Sequence, residues 1–254
     1  MIEAPTKTLL SSVDPTPVEV VNPNSESSVF LLCEHAGQAI PAGLGDLGVS
    51  ETVLFSHRGW DIGAEALARA LAARLAAPLV VQRYSRLVFD CNRPPNSPLA
   101  ISMESDGVPI PGNQNKSIAE QQARVDEIFV PMKTAISALL TPDRKFAFSI
   151  HSFTPKMNGQ DRPWHAGFLS RTDLKTANAL RDHIAHQRLD LTLAINEPYQ
   201  IETDGDWFIP AQAEPRGLMH SLIEIRNDQL LDAAGITLWA DLLAGAIQSL
   251  TEAT

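Results

Sequence analysis

The most constraining feature of this sequence is its alternation of short apolar runs with longer segments of helical periodicity. Short continuous apolar runs are typical of strands that are buried on both faces. The predicted strands are 28–35, 79–84, 87–91, 145–151, 165–170, 191–196 and 220–226. The predicted helices are 62–77, 117–140, 173–188 and 229–252. This order predicts an α/β fold, with a mixed, mostly parallel sheet and helices on both faces.

Local signals predict where some of these elements begin and end. Ser117 followed by Glu120 fits a capping box at a helix start. Pro131 is expected to kink the same helix. Residues 1–27, rich in Pro, Ser, Thr and Asn, are predicted to form an irregular N-terminal arm, which leaves 28–254 as a single domain.

Composition narrows the classes of function. The chain has 254 residues, 44% of them hydrophobic, and a formal charge of -10. Such an acidic surface repels phosphate backbones and anionic lipids, so we expect neither a nucleic-acid nor a membrane partner. Two cysteines cannot supply a cysteine-rich zinc site. Without a signal-like N-terminal segment, the sequence predicts a cytoplasmic protein; it does not indicate an oligomeric state.

Polar or ionisable side chains stand at the ends of four predicted strands. They are Glu34 and His35, Asn92 and Arg93, His151 and Ser152, and Glu224 with Arg226. The carboxyl ends of parallel strands are where α/β proteins bind ligands. A single polar residue at a strand end is usually structural, but four such ends that converge favour a functional site.

The residue types indicate metal-assisted hydrolysis. Two histidines and a carboxylate suit Zn²⁺ with one position open for water. A further carboxylate could deprotonate that water, and an arginine could hold an anionic group of the substrate. The residue types alone leave open which carboxylate completes the ligand set. Serine hydrolysis and nucleotide cofactors are not indicated, because G-x-S-x-G, G-x-G-x-x-G and P-loop patterns are missing.

Six motifs together resemble the N-formylglutamate amidohydrolase family. They are CEHAGQAIP, RGWDIGA, YSRLVFDCNRPP, SIHSFTPKMNGQDRPWHAGFLS, NEPY and IEIRND, in the family's order over about 30–230. The family is in turn distantly similar to zinc carboxypeptidases and aspartoacylases. The resemblance therefore implies a carboxypeptidase-like fold and hydrolysis of the amide bond of a small N-acyl amino acid, such as an N-formyl amino acid.

The resemblance also implies roles for individual residues. His35 and His151 match the two zinc histidines, and Glu224 matches the general base. Asn92 and Arg93 match the pair that binds a substrate carboxylate. Arg86 would add a second positive charge to that substrate-binding region.

One position departs from the carboxypeptidase pattern. Three residues after the first histidine that pattern has a glutamate ligand, whereas this chain has Gln38. Asp61 is the preferred replacement, with the N-cap of helix 62–77 as its alternative role. Glu34 is a third candidate, although adjacent residues of a strand point to opposite faces.

The sequence therefore predicts a zinc-dependent amidohydrolase that binds one zinc per chain through His35, Asp61 and His151. Two alternatives stay open. One is a carboxypeptidase or deacylase with a different specificity, and the other is a non-catalytic protein that binds small carboxylates. Gln38 keeps the second alternative open. The metal content of the purified protein would separate a zinc enzyme from a protein without metal.

Overall fold

A seven-stranded mixed sheet forms the centre of the protein in a computed structural model that describes residues 8–253. Its strands are β1 (Val18–Val21), β2 (Val29–Cys33), β3 (Leu79–Gln82), β6 (Phe146–Phe153), β9 (Ala166–Leu169), β10 (Leu193–Ile195) and β11 (Met219–Arg226). Two small hairpins outside the sheet are formed by β4 (Glu104–Ser105) with β5 (Val108–Pro109), and by β7 (Lys156–Met157) with β8 (Gln160–Asp161).

The sheet is mostly parallel, as predicted. Its order is β1-β3-β2-β6-β11-β9-β10, in which β3, β2, β6 and β11 run parallel to one another. Strands β1 and β9 pair antiparallel with their neighbours β3 and β11. The chain leaves β2 towards one edge of the sheet and leaves β6 towards the other. A crevice therefore opens between β2 and β6 at their carboxyl ends, where such sheets bind ligands.

Helices cover both faces of the sheet, which confirms the predicted fold class. They are α1 (Glu51–Leu54), α2 (Ala64–Leu75), α3 (Ile118–Arg124), α4 (Val130–Leu139), α5 (Leu174–Gln187) and α6 (Ala233–Glu252). One core cluster packs α2, α5 and α6 against one face of the sheet, and a second packs α4 and several loops against the other.

A side-chain cap fixes the start of helix α3. The capping box is present: Ser117 Oγ accepts from the Glu120 backbone N–H at 3.2 Å. The predicted long helix is interrupted by one π-helical turn, Val125–Phe129, and Pro131 lies in the first turn of α4. That position lets proline begin a helical segment without losing a needed N–H.

Helix α6 is a core helix of this fold. By length and composition alone it also satisfies the criteria for a membrane span. In the structure, however, its own residues Trp239, Leu243 and Ile247 are fully buried in the core. These residues form the face of α6 that packs in the core.

Two local predictions differ from the structure. Residues 87–91 are not a strand but a series of turns, in which the Ser85 carbonyl accepts from the backbone N–H groups of Val88 and Phe89. The predicted irregular arm contains strand β1, which pairs with β3 over four residues. The first seven residues of that arm lie outside the described residues.

Candidate active site

A cavity of about 760 Å³ opens at the carboxyl edge of the sheet. All seven predicted site residues line it: His35, Asp61, Arg86, Asn92, Arg93, His151 and Glu224. Strands β6 and β11 place His151 directly opposite Glu224 in the parallel register, so both side chains lie on the same face of the sheet. Gln38 and Glu34 are not among the described residues that line the cavity.

His35, Asp61 and His151 form a buried group whose ligand atoms all lie within 4.8 Å of one another. Asp61 Oδ2 lies 2.9 Å from His151 Nδ1 and 3.5 Å from His35 Nδ1. Although buried, His35 Nδ1 has no hydrogen-bond partner among the described residues. Two histidine nitrogens and a carboxylate oxygen that converge in this way fit the donor set of a zinc site.

The outer nitrogens of both histidines have polar partners. His35 Nε2 is 2.7 Å from Asp90 Oδ1. His151 Nε2 is 2.7 Å from Ser149 Oγ and 3.2 Å from Glu34 Oε2. In metal sites, a carboxylate or hydroxyl on the outer nitrogen orients the ring and fixes which nitrogen faces the ion. Glu34 thus contacts the side of His151 that faces away from Asp61.

Asp61 does not act as the side-chain cap of α2. The N-cap of that helix is Gly63, without a side-chain cap hydrogen bond. The Asp61 carboxylate instead accepts from the Ser152 backbone N–H at 3.2 Å and from Arg86 Nη1 at 3.3 Å. Burial alone would raise the pKa of Asp61, but the charges of His35 and His151 and the hydrogen bond with His151 outweigh it and hold the pKa well below its ordinary value.

Glu224 is buried beside this group. Its Oε2 has no hydrogen-bond partner among the described residues. Burial raises its pKa from 4.5 to about 7, against the opposing effect of nearby His151. Arg226 lies two residues away on the same face of β11, but it does not pair with Glu224, because it binds Asp228 at 2.8 Å and the carbonyls of Arg162 and Pro163. A carboxyl group whose pKa is near 7 is suited to accept a proton and return it at neutral pH.

The predicted anion-binding residues already have carboxylate neighbours. Arg86 Nη2 donates to Asp90 Oδ2 at 2.6 Å. Asn92 Nδ2 donates to Asp206 Oδ1 at 3.0 Å, and Arg93 Nη1 lies 3.8 Å from the same oxygen. Arg86 therefore donates to both carboxylates that contact the histidines, Asp61 and Asp90. Asn92 and Arg93 instead face the cavity next to Asp206.

The sequence reasoning gave no role to three residues that shape the site: Asp90, Ser149 and Asp206. Asp90 lies in the motif DCNR and Ser149 lies two residues before His151. Their closeness to the predicted site residues in the sequence is a signal that could have identified both as hydrogen-bond partners of the histidines. Asp206 lies in an acidic loop, ETDGD, whose sequence resembles an ordinary solvated turn.

The fold and this geometry define an α/β protein with a buried His–Asp–His group, an adjacent carboxyl of raised pKa and two arginines at the carboxyl edge of the sheet. The model of the N-formylglutamate amidohydrolase family matches residues 27–231. The chain belongs to this family, and is accordingly an amidohydrolase.

Solved structures extend the comparison. The crystal structure of gene product Atu2144 from Agrobacterium tumefaciens is 37% identical, with a TM-score of 0.89 over 96% of this chain and 99% of that chain. A metallo-carboxypeptidase from Burkholderia cenocepacia is 12% identical, with a TM-score of 0.43 over 93% of this chain and 65% of that chain. A bacteriophage poly-gamma-glutamate hydrolase is 9% identical, with a TM-score of 0.48 over 93% and 90% of the two chains. No curated protein matches the sequence.

Proposed function

We propose that this protein is a zinc-dependent amidohydrolase that cleaves the amide bond of a small N-acyl amino acid such as N-formylglutamate. The observation that carries the proposal is the convergence of His35 Nδ1, His151 Nδ1 and Asp61 Oδ2 at a buried point. Among the described residues, His35 Nδ1 has no hydrogen-bond partner there. The family name suggests the substrate. The carboxylate-binding residues expected of such a substrate line the same cavity.

His35, Asp61 and His151 would hold the metal. A bound Zn²⁺ would supply Lewis-acid chemistry, lowering the pKa of water and polarising the scissile carbonyl. The residues around it would keep the three ligands in place. Asp90 accepts from the outer nitrogen of His35, and Arg86 bridges Asp90 to Asp61.

Glu224 would act as the general base. Its carboxylate takes a proton from the attacking water and passes it to the nitrogen of the leaving amine. Its environment supports this role, because a pKa of about 7 lets the group gain and lose a proton at neutral pH. The neighbouring strand position carries His151, so the base and the proposed ligands share one face of the sheet.

Arg93 would orient the substrate by binding its carboxylate, with Asn92 beside it. Binding the anionic end of the substrate orients its amide bond toward the reacting groups, as the covalent link does in an intramolecular reaction. The Arg93 side chain is 29% exposed, so part of its guanidinium faces the cavity.

Metal content and turnover together test the proposal. Purified protein should retain close to one zinc per chain after dialysis and should hydrolyse one or more of a panel of N-formyl and N-acetyl amino acids. His151→Ala should lose most of the zinc, whereas His186→Ala, at an exposed position of α5, should keep it. Full metal retention in His151→Ala would contradict the site. Protein that holds zinc but turns over no acylated amino acid would contradict the substrate class.

A further inference from the structure

A protein carboxylate lies against the residues proposed to bind the carboxylate of the substrate. Asp206 Oδ1 accepts a hydrogen bond from Asn92 Nδ2 at 3.0 Å and lies 3.8 Å from Arg93 Nη1. The Asp206 side chain is 14% exposed and lines the cavity. Asp206 therefore occupies part of the space in which a bound anion would contact these two donors.

The loop that carries Asp206 is held from several sides. Asp206 Oδ2 accepts from the Glu202 backbone N–H at 2.9 Å, and the Asp206 N–H donates to the Glu202 carbonyl at 3.1 Å. Arg93 Nη1 donates to the Gly205 carbonyl at 2.5 Å. On the outer side, Arg171 donates to Thr203. These contacts fix the carboxylate next to Arg93 rather than leave it free to move with solvent.

The neighbouring charges make this position costly for an incoming anion. Besides Asp206, Asp90 Oδ2 lies 3.9 Å from Arg93 Nε, so one guanidinium faces two carboxylates. Two negative charges about 5 Å apart, at an effective dielectric constant of about 20, repel strongly enough to change a binding constant by tenfold or more. Burial also raises the pKa of Asp206, as expected for a carboxylate that is incompletely compensated.

We propose that Asp206 determines the affinity of the Asn92–Arg93 pair for carboxylates, because it competes with the substrate for the same donors. Asp206 is thus a specificity-determining residue that weakens the binding of carboxylates at this end of the cavity. The inference rests on the proposed function, since it takes Arg93 as the residue that anchors the substrate anion.

The test compares Asp206→Asn with a matched control. Asp206→Asn removes the charge and keeps the shape, and Asp204→Asn makes the same charge change at an exposed position of the same loop. Calorimetric titration of the purified, zinc-loaded proteins with glutarate should show binding at least tenfold tighter for Asp206→Asn than for wild type. Asp204→Asn should stay within about twofold of wild type, because an exposed charge is screened by solvent and salt.

Two further measurements separate competition from a structural role. The gain should disappear in the Asp206→Asn, Arg93→Ala double variant, because it is carried by Arg93. For a hydrolysed N-acyl amino acid, Asp206→Asn should lower KM, and it should leave KM unchanged for the matching carboxamide. Asp206→Ser provides a second neutral variant should the asparagine impair folding.

Glutarate binding that is unchanged or weaker in the neutral variants would overturn the inference. A tenfold gain in glutarate affinity that is still present in the Asp206→Asn, Arg93→Ala double variant would overturn the inference as well. Protein that hydrolyses no N-acyl amino acid would contradict the proposed function, while the glutarate comparison would still decide the role of Asp206.

Discussion

Replacing Glu224 with Gln should raise the stability of the metal-free protein at alkaline pH. In the zinc-loaded protein, the same substitution should remove activity. Glu224 is buried, its Oε2 lacks a hydrogen-bond partner among the described residues, and its pKa rises from 4.5 to about 7. A rise of this size means that ionised Glu224 costs the native state about 3 kcal/mol relative to the unfolded chain. Glutamine has nearly the same shape and no charge, so it avoids this cost.

The sign of the effect depends on pH. Below the unfolded pKa of 4.5, the carboxyl is protonated in both states and the substitution should change stability little. Between 4.5 and about 7 the unfolded state ionises first, so wild type loses stability relative to the variant. Above about pH 7 the difference should level off near 3 kcal/mol.

Urea unfolding of the chelator-treated proteins at pH 5 and pH 8 measures this difference. The variant should be more stable than wild type by a margin that is larger at pH 8. With zinc restored, the same variant should keep the metal and lose about a hundredfold or more in kcat, because the general base is missing. Equal stability at both pH values, or lower stability at pH 8, would show that Glu224 has a compensating partner and would refute the argument.

Three further predictions concern the ligands, the anchor and the turn after β2. Asp61→Asn should weaken zinc binding strongly and Gln38→Ala should not, which equilibrium dialysis with a zinc chelator can measure; the reverse order would exchange their roles. Arg93→Ala should mainly lower kcat/KM for substrates with a carboxylate, and an equal loss for the matching carboxamide would contradict an anchoring role. Gly37→Ala should destabilise the protein by about 1–3 kcal/mol in urea melts, because its Cβ would lie 2.0 Å from the Arg83 carbonyl carbon. Gly43→Ala is the control, with no atom within 4 Å of the added Cβ, and similar melts for the two variants would refute the packing argument.

The parts of the fold that the sequence predicted well are those with a strong local pattern. Strands β2 and β6 are buried along their whole length, so their sequences are nearly continuous apolar runs. Helix α2 buries Leu67 and Leu71 on one face, at the spacing that helical periodicity requires. The polar residues that follow β2 and lie on β6 and β11 were recognisable because they interrupt such runs.

The parts that it predicted less well depend on partners distant in the chain. Strand β1 is half-buried at the sheet edge and includes Glu19, which pairs with Arg69 and Arg83 from other elements. In 87–91, Ser85 accepts from the backbone of the following residues and turns the chain, although Leu87, Val88 and Phe89 are as apolar as a strand. Asp206 lines the cavity in a loop that Arg93 contacts through the Gly205 carbonyl, and Arg93 is 113 positions earlier in the chain.

The backbone after His35 helps to explain where Gln38 and Asp61 lie. Residues 36–38 are not helical. The chain runs instead beside 83–85, where the Ala39 N–H donates to the Arg83 carbonyl at 3.2 Å and the Ser85 N–H donates to the Ala39 carbonyl at 2.9 Å. Gly37 allows this close approach.

The carbonyl of His35 is thereby left to accept from the Asp61 N–H at 2.9 Å, which brings that carboxylate to both histidines. In this chain the Asp61 carboxylate therefore lies beside the two histidines, whereas Gln38 is not among the described residues that line the cavity. For that reason Gln38 does not by itself argue for a protein that has lost its metal.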